Sequence, residues 1–177
     1  MSELCLSCGL CCSGLLFSRA SVHAEEIEGL AAVGIRVQRY HEKGDAFPLP
    51  CVAHRNGCCS VYESRPEVCR KYRCELLKDV DAGRTSLAKA HEVVATTKGL
   101  IGAIEKHLPI PAPTENPSSR LVALVQRLQV GARNGTEPPA LALDVALLTD
   151  MIARYFLPRG RVPAGESMET AAPESND

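Results

Sequence analysis

The sequence predicts a mostly helical α+β protein: a small, irregular, cysteine-rich module with one short hairpin, followed by packed amphipathic helices. Three observations predict it. All nine cysteines fall between Cys5 and Cys74. Asn56-Gly57, a strong short hairpin signal, stands between two thiol-bearing arms, CVAH and CSVY. Beyond residue 85 the apolar residues recur at spacings of three and four, with no cysteine among them.

The elements follow in chain order. The opening, MSELCLSCGLCCSGLLF, carries a sulfur-rich knuckle and then a short extended stretch, GLLFS. Ser21 is expected to cap a helix over residues 22–33, with Glu25 and Glu26 where the helix dipole favours negative charge and Gly34 as its stop. Val22, Ile27, Leu30 and Ala31 form its apolar face. In FPLPC, Pro48 and Pro50 argue against a central strand. After the hairpin, Ser64 and Glu67 form an S-x-x-E capping box with Pro66 in the first turn, which predicts a helix start. Over residues 85–108, Leu87, Ala90, Val94, Thr97, Ile101, Ile104 and Leu108 make one nearly continuous buried stripe. Thr97 is its weak point, and Gly99 and Gly102 lower helix propensity, with close packing as their expected use.

The resulting organisation is a cysteine module over residues 1–82, a long core helix over 83–108 and a Pro-rich linker over 109–118. Two amphipathic segments over 119–158 and an acidic, disordered tail over 159–177 complete it.

Composition narrows the function classes. Hydrophobic residues at 45% and charged residues at 23% are ordinary globular values. A net charge of -1 and an aromatic content of 4% argue against a nucleic-acid binder or a pull toward anionic membrane. The most apolar segment, LALDVALLTDMIARYFL, is interrupted by Asp144, Asp150 and Arg154, so no membrane span is expected. The first residues lack the basic region, apolar run and cleavage site of a secretory leader, so the expected compartment is the cytoplasm. In a reducing compartment dense cysteine points to metal or catalysis more than to disulfides, and the odd count of nine agrees.

Spacing says what the sulfurs can do. Cysteines two residues apart turn their sulfurs toward one centre, with backbone N–H groups positioned to bond the thiolates, which suits zinc and iron–sulfur ligation equally. Cys11 and Cys12 are adjacent, and their side chains diverge, so they are expected to face different metals or different sides of a cluster. Cys69 and Cys74 lie about 140° apart on a regular helix. They converge only if that helix distorts or ends between them. Four thiols at the start and at least four downstream suffice for two four-sulfur sites, but no spacing pairs them. The opening departs from the ferredoxin run C-x2-C-x2-C-x3-C-P, because its fourth cysteine follows at once and no proline comes next.

CLSCGLCC, followed by the block CCSVYESRPEVCRKYRC, resembles the YkgJ-type cysteine-cluster family, a zinc- or iron-chelating domain; a similar cysteine pattern occurs in flagellin lysine-N-methylases. The resemblance covers about residues 5–74 and implies metal ligation by Cys5, Cys8, Cys11, Cys12, Cys51, Cys59, Cys69 and Cys74. Cys58 is the spare, because the family pattern has one cysteine just before S-x-Y. Arg65 and Arg70 match the R-P-x-x-C-R segment and are expected to sit at the cofactor, where guanidinium charge offsets thiolate charge. The compact run favours iron, as an iron–sulfur cluster, slightly over zinc. The resemblance brings a site without a reaction.

Other residues carry less. His23, His41, His54, His91 and His107 are scattered; His54 alone lies between cysteines and is expected on an exposed turn, with His91 and His107 on helix surfaces. Tyr62 is expected to anchor the core or its edge. No G-x-S-x-G, P-loop or dinucleotide fingerprint is present, nor a glycine-rich strand–turn–helix for a methyl donor. Two alternatives stay open: a thiol oxidoreductase acting through Cys58, and a zinc-structured module whose residues 119–158 dock a protein partner.

Overall fold

Short, turn-rich stretches build the first half of the chain and long apolar periodicity builds the second. The computed structural model describes residues 3–40, 44–107, 119–133 and 139–160. Within them the protein is α+β and mostly helical. The order is α1 (Glu3–Cys8), β1 (Arg19–Ser21), α2 (Ile27–Ala32), β2 (Gln38–Tyr40), β3 (Gly44–Pro48), β4 (His54–Arg55), β5 (Cys58–Cys59), α3 (Glu67–Lys71), α4 (Glu75–Asp81), α5 (Leu87–His107), α6 (Arg120–Arg133) and α7 (Pro139–Met151). A 3-10 turn, Ala24–Glu26, precedes α2, and α7 runs into a π-helical turn, Ile152–Phe156.

The hairpin forms where Asn56-Gly57 predicts it. Both residues take positive φ, 51° and 79°, and β4 pairs antiparallel with β5 through His54↔Cys59 and Arg55↔Cys58. Gly34 ends α2 as expected: at φ 80° it turns the chain so that its N–H and that of Ile35 bond the Ala31 and Leu30 carbonyls. Ser21, however, belongs to β1 rather than capping the helix, and His23 precedes the 3-10 turn, its N–H donating to Glu26 Oε2 at 3.1 Å.

A second correction concerns Pro48. β3 is the central strand of a three-stranded sheet, order β1-β3-β2, and Pro48 is its last residue, opposite Arg19. At a strand end the missing N–H interrupts no ladder, so proline is tolerated there. The expected capping box at Ser64 does not form either. Pro66 takes the N-cap position of α3, and Glu26 Oε1 accepts from the Glu67 N–H at 2.7 Å. One carboxylate thus caps two helical turns far apart in the chain.

The long helix keeps its stripe with two changes. Ala90, Val94, Thr97 and Ile104 are buried, whereas Leu87 at its start is exposed and Ile101 is half-buried. Thr97 is tolerated because its hydroxyl donates to the Val93 carbonyl at 2.8 Å. Among the described residues nothing lies within 4 Å of a Cβ built on Gly99 or Gly102, so these glycines mediate no close packing there. Leu108, the linker over 109–118 and the tail beyond residue 160 lie outside the described residues.

The C-terminal helices close over the opening run. The Arg120 and Leu121 N–H groups donate to the Gly14 and Leu15 carbonyls at 2.9 and 3.3 Å, and Arg120 Nη1 reaches the Ser13 carbonyl. Leu4, Leu10, Leu15 and Phe17 share one buried cluster with Leu77, Val94, Leu121, Leu124, Ile152 and Phe156. Tyr72 seals the junction, stacking edge-on against Phe17 and donating its hydroxyl to the Phe156 carbonyl.

Candidate metal centre

Three segments bring sulfur to one place. Helix α1 sets Cys5 and Cys8 three residues apart on one face. Gly9, at φ 70°, then turns the chain into Cys11 and Cys12. Gly14 lets this run lie on the segment before Cys51: a Cβ there would come within 2.9 Å of the Pro50 nitrogen and 3.0 Å of the Leu49 carbonyl carbon. The Cys51 N–H bonds the Cys12 carbonyl at 2.9 Å, which fixes the contact. On β5, Cys58 and Cys59 point to opposite faces, as successive strand residues must. Helix α3 carries Cys69 and ends at Lys71; the chain straightens at Tyr72, and Cys74 becomes the N-cap of α4, its sulfur accepting from the Leu77 N–H at 3.4 Å.

Cys5, Cys8, Cys11, Cys12, Cys51, Cys59, Cys69 and Cys74 all line one cavity of about 580 Å³. Cys58 does not. It is exposed, and its Sγ–H donates to the Leu6 carbonyl at 3.8 Å. All nine cysteines stand as free thiols.

Six of the lining thiols are raised, and their strongest neighbours fall into two overlapping groups. Burial, then the charges of Cys8 and Cys74, hold Cys11 well above the ordinary thiol range. Burial pushes Cys74 up to about 12, opposed by the Leu77 N–H, with Cys8 and Cys5 adding to the rise. Burial also lifts Cys8 to about 11, with the Leu10 N–H opposing and Cys5 adding. The other group overlaps it at Cys12, which rises to about 12 through burial, then Cys51 and Cys59, and then Cys8 and Cys5 of the first group. Cys69 rises through burial, then Cys12, Cys51 and Cys59, with Arg65 opposing. Cys51 is raised by burial and by Cys59, against the N–H groups of Ala53 and His54. Cys11 thus feels Cys8 and Cys74 most strongly and its neighbour Cys12 feels Cys51 and Cys59 most strongly, and Cys74 and Cys69 divide the same way.

The donor set fits a metal–thiolate centre in chemistry. Its sulfurs are soft, numerous and accompanied by backbone N–H donors at Cys8, Cys51 and Cys74. Among the described residues no three of the donors are placed to hold an ion together. Burial raises six of these thiols, and a neutral S–H is a poor ligand, so ligation requires their deprotonation.

Both arginines singled out by the sequence line the same cavity. Arg65 stacks over the Tyr62 ring at 3.7 Å and donates to the Tyr62 carbonyl at 3.1 Å, so Tyr62 anchors a cation rather than the apolar core. Arg70 is exposed, and its Nη1 donates to the Arg65 carbonyl at 2.7 Å. Lys71 and Arg73 instead pair with Glu67 and Asp81. The histidines depart from expectation at two positions. His91 is half-buried, with Nδ1 3.2 Å from the Ser7 hydroxyl. His54 lies on the cavity wall, half-buried rather than exposed, and its Nε2 is wholly buried. Sequence reasoning missed Lys98, which donates to the Ser7 carbonyl at 2.8 Å and lowers the Cys8 thiol; its position mid-helix, far from any cysteine, gave no signal.

Among the described residues, no helix is long and apolar enough to cross a membrane. No curated protein and no solved structure matches the chain. Residues 4–94, just over half of the sequence, match the family described as "CxxCxxCC: Putative zinc- or iron-chelating domain". The matched span takes in every cysteine on the cavity wall, and the chain belongs to this CxxCxxCC family.

Proposed function

We propose that the protein binds two metals, or a cluster with two ligating faces, through two four-sulfur sites. Cys5, Cys8, Cys11 and Cys74 form one, and Cys12, Cys51, Cys59 and Cys69 form the other. One observation carries this reading: eight of nine thiols line a single cavity and the ninth, Cys58, lies outside it. Four thiolates on a divalent ion leave a formal charge of −2, which Arg65 and Arg70 are placed to offset. The Leu77 N–H bonds the Cys74 sulfur at 3.4 Å, and the Leu10 and Ala53 N–H groups oppose the rise at Cys8 and Cys51, which favours the thiolate.

As iron–sulfur, the centre supplies one-electron chemistry; as zinc, it supplies folding energy without redox activity. The compact cysteine run favours iron slightly, with electron transfer or redox maturation of a partner as the role. A zinc-structured interaction module is the second reading, supported by Leu143 and Leu147, which stand 70% and 47% exposed one turn apart on α7.

Anaerobic purification followed by absorption spectroscopy and elemental analysis tests the proposal. Iron with acid-labile sulfide supports a cluster, and zinc near two per chain supports the second reading. Less than one metal per chain after reconstitution with either would overturn both.

A further inference from the structure

His54 carries an inference that rests on the metal reading above. Its ring packs directly on Gly9, the residue that turns the opening run between Cys8 and Cys11: a Cβ on Gly9 would come within 2.5 Å of His54 Nε2 and 3.0 Å of Cε1. The backbone on the histidine side is equally fixed. The His54 N–H donates to the Cys51 carbonyl at 2.9 Å, and His54 begins β4 directly opposite Cys59 on β5. Within this seat Nε2 is buried and has no hydrogen-bond partner among the described residues. A buried unpaired nitrogen is costly, so such a group in a cavity wall points to a partner that arrives with the ligand. Arg65 Nε, the other unpaired buried nitrogen on this wall, lies where a cation already faces Cys69.

The cavity supplies one class of acceptor. Neutral S–H is a weak acceptor, but a thiolate held by a metal is charged and has lone pairs to offer. We propose that His54 is a positioning residue of the metal centre, its Nε2–H donating to a thiolate sulfur of the Cys5–Cys12 run and locking the hairpin to that run once metal is bound. The ring is then the Nε2–H tautomer, and it is not a ligand. Gly9 follows from the same contact, since any side chain there would displace the ring.

The full chain loaded with cadmium-113 provides a direct test. The expected result is a slowly exchanging His54 Nε2–H proton that shows coupling to cadmium through the sulfur. In cobalt(II) titrations His54→Phe should bind as many ions per chain as wild type, with affinity about 10- to 100-fold weaker and a shifted sulfur-to-cobalt charge-transfer band. His54→Gln, which restores an N–H, should recover part of the loss. A direct nitrogen–cadmium coupling, or one ion fewer in His54→Phe, would make His54 a ligand and overturn the proposal. Absence of the proton coupling together with unchanged cobalt affinity would also overturn it. A wild-type chain that binds neither ion removes the metal reading itself. A wild-type chain that binds both, beside an indifferent His54→Phe, removes this inference alone.

Discussion

Cys58 and Cys59 differ by one position and point to opposite faces of β5, and only Cys59, a proposed ligand, lines the cavity. Cys8→Ser and Cys59→Ser, one from each proposed site, should each lower bound metal toward one per chain and lower the melting temperature, because an opened thiolate site loses binding energy that is also folding energy. Cys58→Ser should do neither. Equal metal loss in all three, measured by elemental analysis, would sink the ligand assignment. The same thiols set a pH dependence. In the metal-free fold Cys8 stands near 11 and Cys12 and Cys74 near 12, above the ordinary 9.0. Raised pKa values mean that the folded chain holds protons the unfolded chain has released. Their contribution is therefore full below pH 9 and lost as pH climbs toward 12. Urea midpoints of the metal-free protein should fall across that window; a flat profile would show that these thiols are not buried. Metal loading runs the other way and weakens as pH falls, since each ligand must release its proton.

At the scale of elements, Glu26 links parts of the chain that no local pattern connects. Its two oxygens accept from the His23 N–H and the Glu67 N–H, 3.1 and 2.7 Å away. Glu26→Ala should destabilise by about 1–2 kcal/mol in urea unfolding, the range for a lost cap, whereas Ser64→Ala should change stability by less than about 0.5 kcal/mol. The reverse outcome would restore the capping box that S-x-x-E suggests. Gly99→Ala should stabilise by about 1 kcal/mol, because helix propensity improves and a Cβ there meets nothing. Local chemistry made part of the fold readable: the Asn56-Gly57 turn, the Gly34 stop and the α5 stripe all follow from short-range rules. The set of cysteines that shares one cavity was readable from spacing and family pattern. Non-local pairing was not. β1, β2 and β3 are three to five residues long, too short for alternation to show, and Pro48 disguised a strand end as a break. The burial of His54 depends on a contact with Gly9, 45 positions earlier in the sequence, which no window around either residue contains.

Across the whole molecule, the question is whether the cysteine module stands alone. Its own elements are meagre: strands of two to five residues and helices of five to seven residues, far below the ~12–15 at which an isolated helix becomes marginal. The apolar cover comes from beyond it, where Leu121, Leu124, Ile152 and Phe156 meet Leu10, Leu15 and Phe17 in one cluster. The polar ties run the same way. Arg120 holds the Ser13 and Gly14 carbonyls, and Arg159 reaches buried Glu75 at 3.0 Å, one residue after Cys74. Metal binding should therefore order the C-terminal helices as well as the sulfur-bearing turns. In hydrogen exchange on the full chain, removing metal with a chelator should speed exchange at the Arg120 and Leu121 amides together with those of the opening run. These amides donate directly to the Gly14 and Leu15 carbonyls, so they report on the junction rather than on α6 alone. If they keep their protection while Cys51 and Leu77 lose theirs, the module and the helices are independent units. If all four change together, ligation at one end of the chain is coupled through the shared core to the helical face carrying Leu143 and Leu147, and a partner bound there could sense whether the metal is present.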